Sequence, residues 1–456
     1  MSEFSILELE QWNEKIEACA REMGLDFYPQ EFEICSYEEM LGYEAYTGMP
    51  SHYPHWSFGK AFDRLHTFYR YNLSGLPYEM VINSNPCLAY LMRDNTLLLQ
   101  ILTIAHVYGH NDFFKNNRLF KTTRAEMTID GFKNHAERIR GYIQDPSIGY
   151  VKVERVLDAA HALRYQVNRT IGSKKLSIDE EKERLLSEYR RKTSTDLFGR
   201  PAEAVAPPNL NRIPLEPEED ILGFIIEYSR LEEWEKDVVR IVRAESEYFL
   251  PQIETKILNE GWASLWHYRI LQKLDLPQDL HLEFLKRHHQ VIRPHPGGLN
   301  PYHMGFVMLN NLEAKFGPKK IFEAREIESD RSFIRRYLTR ELCHELNLFE
   351  FFQNEDEGII SEVADEDGWE PIRDTLCQNI GISSIPVIKV KEMSSRDGSL
   401  LLEHEYDGRE LELGHTGETL KYLAELWGRP VKLITRLKGK EKMIICDELK
   451  KLTAVD

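Results

Sequence analysis

The chain has 456 residues, with 58 Lys and Arg against 75 Asp and Glu, giving a formal net charge of −17. That length allows two or three domains around a large buried core, and 42% hydrophobic with 29% charged residues is ordinary for a soluble globular protein. The acidic balance argues against non-specific binding to nucleic acid or an anionic membrane, which needs clustered Lys and Arg.

The first ten residues are acidic and lack a basic region followed by an apolar core, so no secretory signal is expected. No apolar run reaches the roughly 18 residues of a membrane span. Cys19, Cys35, Cys87, Cys343, Cys377 and Cys446 are scattered without a C-x-x-C pair, which fits free thiols in a reducing cytosol. A cytoplasmic protein is therefore expected.

Residues 4–24 repeat Phe4, Ile6, Leu7, Trp12, Ile16, Ala20 and Met23 at helical spacing and close on Gly24. Residues 28–34 read as extended. Residues 48–60 hold two Pro and two Gly and read as a loop carrying His52, His55 and Trp56. A helix over 58–72 and a short strand over 78–82 follow, then a polar turn, Asn83–Cys87.

The run from Asn95 to Ile104 has no Gly or Pro and suits a buried helix that continues through Ala105-His-Val-Tyr-Gly-His110. His106 and His110 then stand at i and i+4, one turn apart on one face. Two imidazoles so placed can hold one metal ion, as in H-E-x-x-H zinc proteins. Val107 occupies the position of the usual general base. Taken alone, two His four apart in a chain with 16 His are first read as a chance pair that binds nothing.

Further helices are expected over 123–143, 150–168 and 177–191, the last with a Ser177–Glu180 capping box. Residues 198–217 contain five Pro and read as a linker or surface crossover. Helices over 220–228 and 234–248 follow, and Pro251 is expected to end the second. The next helix, 253–271, carries Asn259-Glu-Gly-Trp-Ala263. This stretch resembles the downstream gluzincin helix whose Glu is the third zinc ligand. Together the two stretches suggest a Zn²⁺ site of His106, His110 and Glu260. Glu245, Glu247 and His267 are the candidates for a catalytic proton carrier or, for His267, a fourth ligand. Asp112, Glu79 and Glu247 are candidates to orient the imidazoles.

Residues 305–316 and 332–352 read as helices, the latter with a Glu341-x-x-His344 pair that finds no partner pair. From Ser384 the period changes to two. Strands are expected over 385–391, 400–406, 411–413, 430–435 and 442–445, with a helix over 417–427 and hairpin signals at Asp397-Gly398 and Asp407-Gly408.

The fold expected is mainly α: a multi-helix body with a small C-terminal α+β module. Residues 1–197 form an N-terminal helical half, 198–217 the Pro-rich linker, 218–370 a second helical half of the same core, and 371–456 the module.

Pro54-His-Trp-Ser-Phe-Gly-Lys60, Val81-Ile-Asn-Ser-Asn-Pro-Cys87, Phe113-Phe-Lys-Asn-Asn117, Asn259-Glu-Gly-Trp-Ala-Ser264, Gly298-Leu-Asn-Pro-Tyr302 and Trp427-Gly-Arg-Pro430 together resemble the stage V sporulation protein R family. The resemblance runs over about residues 25–435. It implies a cytosolic bacterial protein tied to spore cortex formation in spore formers. Elsewhere it implies a stress-response role beside AAA serine-kinase-like and von Willebrand A-type proteins. It carries no assigned reaction.

Two function classes stay open. One is a regulatory or assembly factor whose metal site is structural. The other is a zinc-dependent hydrolase of peptides or amides with a displaced general base.

Overall fold

The computed structural model describes residues 4–70, 79–172, 175–193, 206–295, 298–353 and 358–455. Among them are seventeen α-helices and a C-terminal five-stranded sheet, a mainly α body with a small α+β part. The chain divides into two compact units, each built from two separate stretches. The first comprises 1–141 and 248–384, the second 142–247 and 385–456. The Pro-rich stretch 198–217 lies partly outside the described residues. Among those residues no helix is long and apolar enough to cross a membrane. All six cysteines are buried, free thiols.

The first unit is organised around the helix Leu97–Asn116, called here the histidine helix. Thr96 caps its start by accepting from the Leu99 amide at 3.3 Å. Every residue from Leu98 to Phe114 is buried, as expected of a helix apolar on all sides. It packs against Lys256–Lys273, the Asn–Glu helix, which packs in turn against Pro301–Phe316.

Small residues let these backbones approach. A β-carbon on Gly261 would stand 2.4 Å from the Gly305 α-carbon, a distance no side chain tolerates. The Asn–Glu helix is also capped from outside its own sequence. Thr255 gives no side-chain cap, and the buried Asp330 carboxylate accepts the Ile257 and Leu258 amides at 2.8 Å each.

Near the end of the histidine helix, the buried Asp112 accepts from Arg325, from the Trp262 indole and from the Asp26 amide, each at 2.8 Å. Burial pushes its carboxyl up to about 6 despite the guanidinium alongside.

A three-stranded sheet covers one side, ordered Gln30–Cys35, Cys87–Met92, Glu79–Ile82. The central strand is parallel to the first and antiparallel to the last. It was not expected, because the Asn and Pro of 83–87 read as a turn into the helix. The chain does bend at Asn85 and Pro86, but Cys87 begins a strand.

Three other expectations need correction. The helix Trp56–Arg70 begins inside the expected loop, leaving the Pro residues ahead of it. The helix Glu233–Glu254 runs through Pro251 and ends three residues later, where the Thr255 hydroxyl donates to the Pro251 carbonyl at 2.7 Å. The expected helix over 332–352 is two short helices, Asp330–Tyr337 and Arg340–Glu345, and a strand, Phe349–Gln353. Extended backbone at Leu338 ends the first and the Thr339 hydroxyl caps the second.

In the second unit Ser177 and Glu180 form the capping box that starts Ile178–Thr193. The five-stranded sheet has the order Leu452–Val455, Lys440–Cys446, Val431–Leu437, Leu400–His404, Ile388–Met393. Asp397-Gly398 turns the first hairpin, with Gly398 at φ +69°. Residues 411–413 are not a strand: Glu412 caps the helix Leu413–Trp427, accepting from the Gly414 and His415 amides. The Trp427 indole donates to the Gly398 carbonyl at 2.9 Å and so ties helix to hairpin. The terminal strand Leu452–Val455 was missed, its residues being half-buried or exposed.

Candidate metal centre

His106 and His110 stand one turn apart on the histidine helix, only 4% and 6% exposed, with ring centroids 4.6 Å apart. Glu260 enters from the Asn–Glu helix. Its Oε2 lies 3.6 Å from His106 Nε2 and 3.5 Å from His110 Nε2. Glu79, at the start of the outer strand of the small sheet, places Oε1 4.0 Å from His106 Nε2. Glu79, His106 and His110 thus offer three ligand atoms within 4.8 Å of one another.

These distances discriminate. At 3.5–3.6 Å the N···O contacts are too long for hydrogen bonds. They match the edges of a tetrahedron around an ion with bonds of about 2.0–2.2 Å, which are about 3.3–3.6 Å. Glu260 Oε2 is sheltered from solvent and has no hydrogen-bond partner, an arrangement a cation would satisfy.

The outer ring nitrogens are held. His110 Nδ1 lies 2.9 Å from Asn259 Oδ1. That oxygen can only accept, so His110 carries a proton on Nδ1, and in the neutral ring the lone pair is at Nε2, on the Glu260 side. His106 Nδ1 lies 2.9 Å from His267 Nδ1. The residues considered as imidazole supports stand elsewhere: Asp112 with Arg325 and Trp262, Glu79 on the ligand side, Glu247 with Arg243 at 2.7 Å.

Burial alone would raise the Glu260 carboxyl, but the two imidazoles outweigh it and hold it well below the usual range. Burial does raise Glu79, and the Glu260 charge adds to it, against the pull of the imidazoles. At His110 burial opposes the charged form, yet Glu260 and Asn259 keep its pKa above the ordinary imidazole value. The Tyr302 phenol is raised well above its usual value by Glu260, then by burial and Glu79. It therefore keeps its proton and can donate a hydrogen bond.

These groups line a cavity of about 830 Å³ that includes Glu79, His106, His110, Glu260, His267 and Tyr302. Phe114 and Phe249 give it apolar surface, and Lys256 a cation. Glu245 and Glu247 are not among its lining residues and lie on Glu233–Glu254. His267 lines it but has both ring nitrogens engaged, by His106 and by His288. Sequence reading named Glu79 only as an outer support and did not find Asn259, His288 or Tyr302 as site residues. Asn259 was within reach, being next to Glu260 in the quoted motif. Glu341 and His344 are exposed on Arg340–Glu345.

Fold and site define a mainly helical protein with two histidines and two carboxylates facing one cavity. The chain belongs to the SpoVR family: the SpoVR-like protein model matches residues 3–385 and the SpoVR-like C-terminal domain residues 386–438. It is 35% identical over 462 residues to the uncharacterized protein YcgB of Escherichia coli (strain K12), covering 92% of this chain and 90% of that one. No solved structure matches it.

Proposed function

We propose that the chain is a zinc-dependent hydrolase of amide or peptide bonds, with His106, His110 and Glu260 as ligands. The observation that supports this most is the tetrahedral-edge spacing of Glu260 from both Nε2 atoms, at the wall of an open cavity. A bound zinc ion supplies carbonyl polarisation and an acidic water. Val107 is fully buried and offers no base. Glu79 takes that role from the strand side, its raised pKa suiting a group that accepts the water proton and returns it to the leaving amine. Tyr302 donates to the oxyanion that forms on the carbonyl.

A second reading is a regulatory or assembly factor with a closed structural site, in which Glu79 is the fourth ligand. Val107 and the 4.0 Å approach of Glu79 to His106 favour it. For either reading, family membership supports a cytosolic setting in sporulation, through the spore cortex, or in stress response beside AAA serine-kinase-like and von Willebrand A-type partners.

Glu79→Gln separates the two. Metal content by mass spectrometry and turnover of a peptide and amide panel are measured on both proteins. The hydrolase reading expects near-stoichiometric zinc in both and a loss of turnover of about 10²–10⁴-fold in the variant. Loss of zinc from the variant, with no turnover by the parent, supports the closed site. A parent protein that takes up no metal sinks both.

A further inference from the structure

Behind His106 stands a string of buried imidazoles. His106 Nδ1 meets His267 Nδ1 at 2.9 Å, and His267 Nε2 meets His288 Nδ1 at 2.8 Å. His267 and His288 are 0% and 1% exposed. His288 is packed by Tyr268 and Phe306, with ring centroids at 4.6 and 5.2 Å. His267 follows Glu260 by seven residues, close to two helical turns, and so shares a face with the ligand.

Each contact needs one N–H and one lone pair, and a neutral imidazole has one of each. Setting one ring therefore sets all three. His267 has both ring nitrogens against imidazole nitrogens, so it donates from one and accepts at the other. Two donor orders are then possible. In the first, His106 donates from Nδ1 to His267, His267 donates from Nε2 to His288, and His106 Nε2 keeps its lone pair. In the second, every proton moves to the other nitrogen and His106 Nε2 becomes N–H. That N–H would face Glu260 across 3.6 Å, too far for a hydrogen bond, and could not bind a cation. Only the first order gives His106 the tautomer that Asn259 imposes on a neutral His110, with the proton on Nδ1 and the lone pair at Nε2.

We propose that His267 and His288 are positioning residues whose one-way donor order holds the His106 Nε2 lone pair on the metal ion. This inference rests on the metal reading above and gives that site its orienting partners.

The test uses the full chain, stripped with a chelator and titrated with zinc against a chromophoric competitor. Long-range ¹H–¹⁵N spectra of ¹⁵N-histidine protein are recorded alongside. His267→Leu should weaken zinc binding about 10–100-fold. His267→Gln can still accept from His106 and donate to His288, and should stay within about threefold of the parent. His288→Leu should fall between, which also decides the matter if His267→Leu does not fold. The zinc-loaded parent should carry its protons on Nδ1 of His106 and on Nε2 of His267 and His288. Undiminished binding by His267→Leu or His288→Leu, an equal loss in His267→Gln, or a proton on His267 Nδ1 would overturn the inference and leave the metal reading standing. A parent that binds no zinc removes both.

Discussion

Gly109 of the histidine helix and Ala263 of the Asn–Glu helix meet backbone to backbone: a β-carbon on Gly109 would stand 2.6 Å from the Ala263 α-carbon. Gly109 lies between His106 and His110, and Ala263 three residues after Glu260. The helix crossing and the ligand geometry are therefore set at one point.

Gly109→Val should push the two helices apart. Overpacking of this kind costs about 1–3 kcal/mol, or more where backbone must move. Zinc binding should fall further than the loss of Tm explains. Gly131→Ala is the control, since nothing lies within 4 Å of its added carbon, and it should leave Tm unchanged or raise it. Calorimetry and zinc titration of both variants check this; parent-like zinc affinity in Gly109→Val would refute it.

Asp330→Ala orphans the Ile257 and Leu258 amides at the start of the Asn–Glu helix. Loss of one cap typically costs about 1 kcal/mol, and two buried amides raise that to about 2–3 kcal/mol. Hydrogen exchange at residues 257–260 should accelerate. Unchanged exchange there would show that the cap is not what orders this turn.

Arg325→Met leaves the Asp112 carboxylate buried without its cation. Breaking a buried pair from one side costs about 3–5 kcal/mol. Adding Asp112→Asn should recover part of the loss. Denaturant unfolding of the two single variants and the double measures the coupling, and simple additivity would contradict the pairing.

Burial, with His289 and His106 nearby, depresses His288 to about 4 from 6.5. The unfolded chain takes up a proton there below pH 6.5 that the folded chain refuses. The stability contributed is complete above pH 6.5 and lost as pH falls towards 4, up to on the order of 3 kcal/mol. Stability of metal-free protein should fall across that window, and less steeply in His288→Phe. Parallel pH profiles for the two proteins would refute this.

The sequence showed the ligand candidates because two of them share a helix face and the third sits in a five-residue motif. Glu79 was harder to read as part of the inner site. It stands at one end of a short outer strand, and its neighbour Cys87–Met92 hides behind an Asn-Pro turn. Asp330 was invisible as a cap because it lies 73 and 72 residues from the amides it serves. His288 carries no signal of its own in the sequence, since its role depends on a contact 21 residues away. The period-two pattern after Ser384 located the sheet, but half-exposed Leu452–Val455 carried too little of it.

The first unit closes only when residues 248–384 join 1–141. On the ribosome, a helix buried from Leu98 to Phe114 emerges about 150 residues before the one that covers it. At about 5–20 residues per second, that surface stays bare for roughly 8–30 seconds. Exposed apolar surface of that kind invites aggregation, so production of the protein should depend on chaperones more than its mature stability suggests.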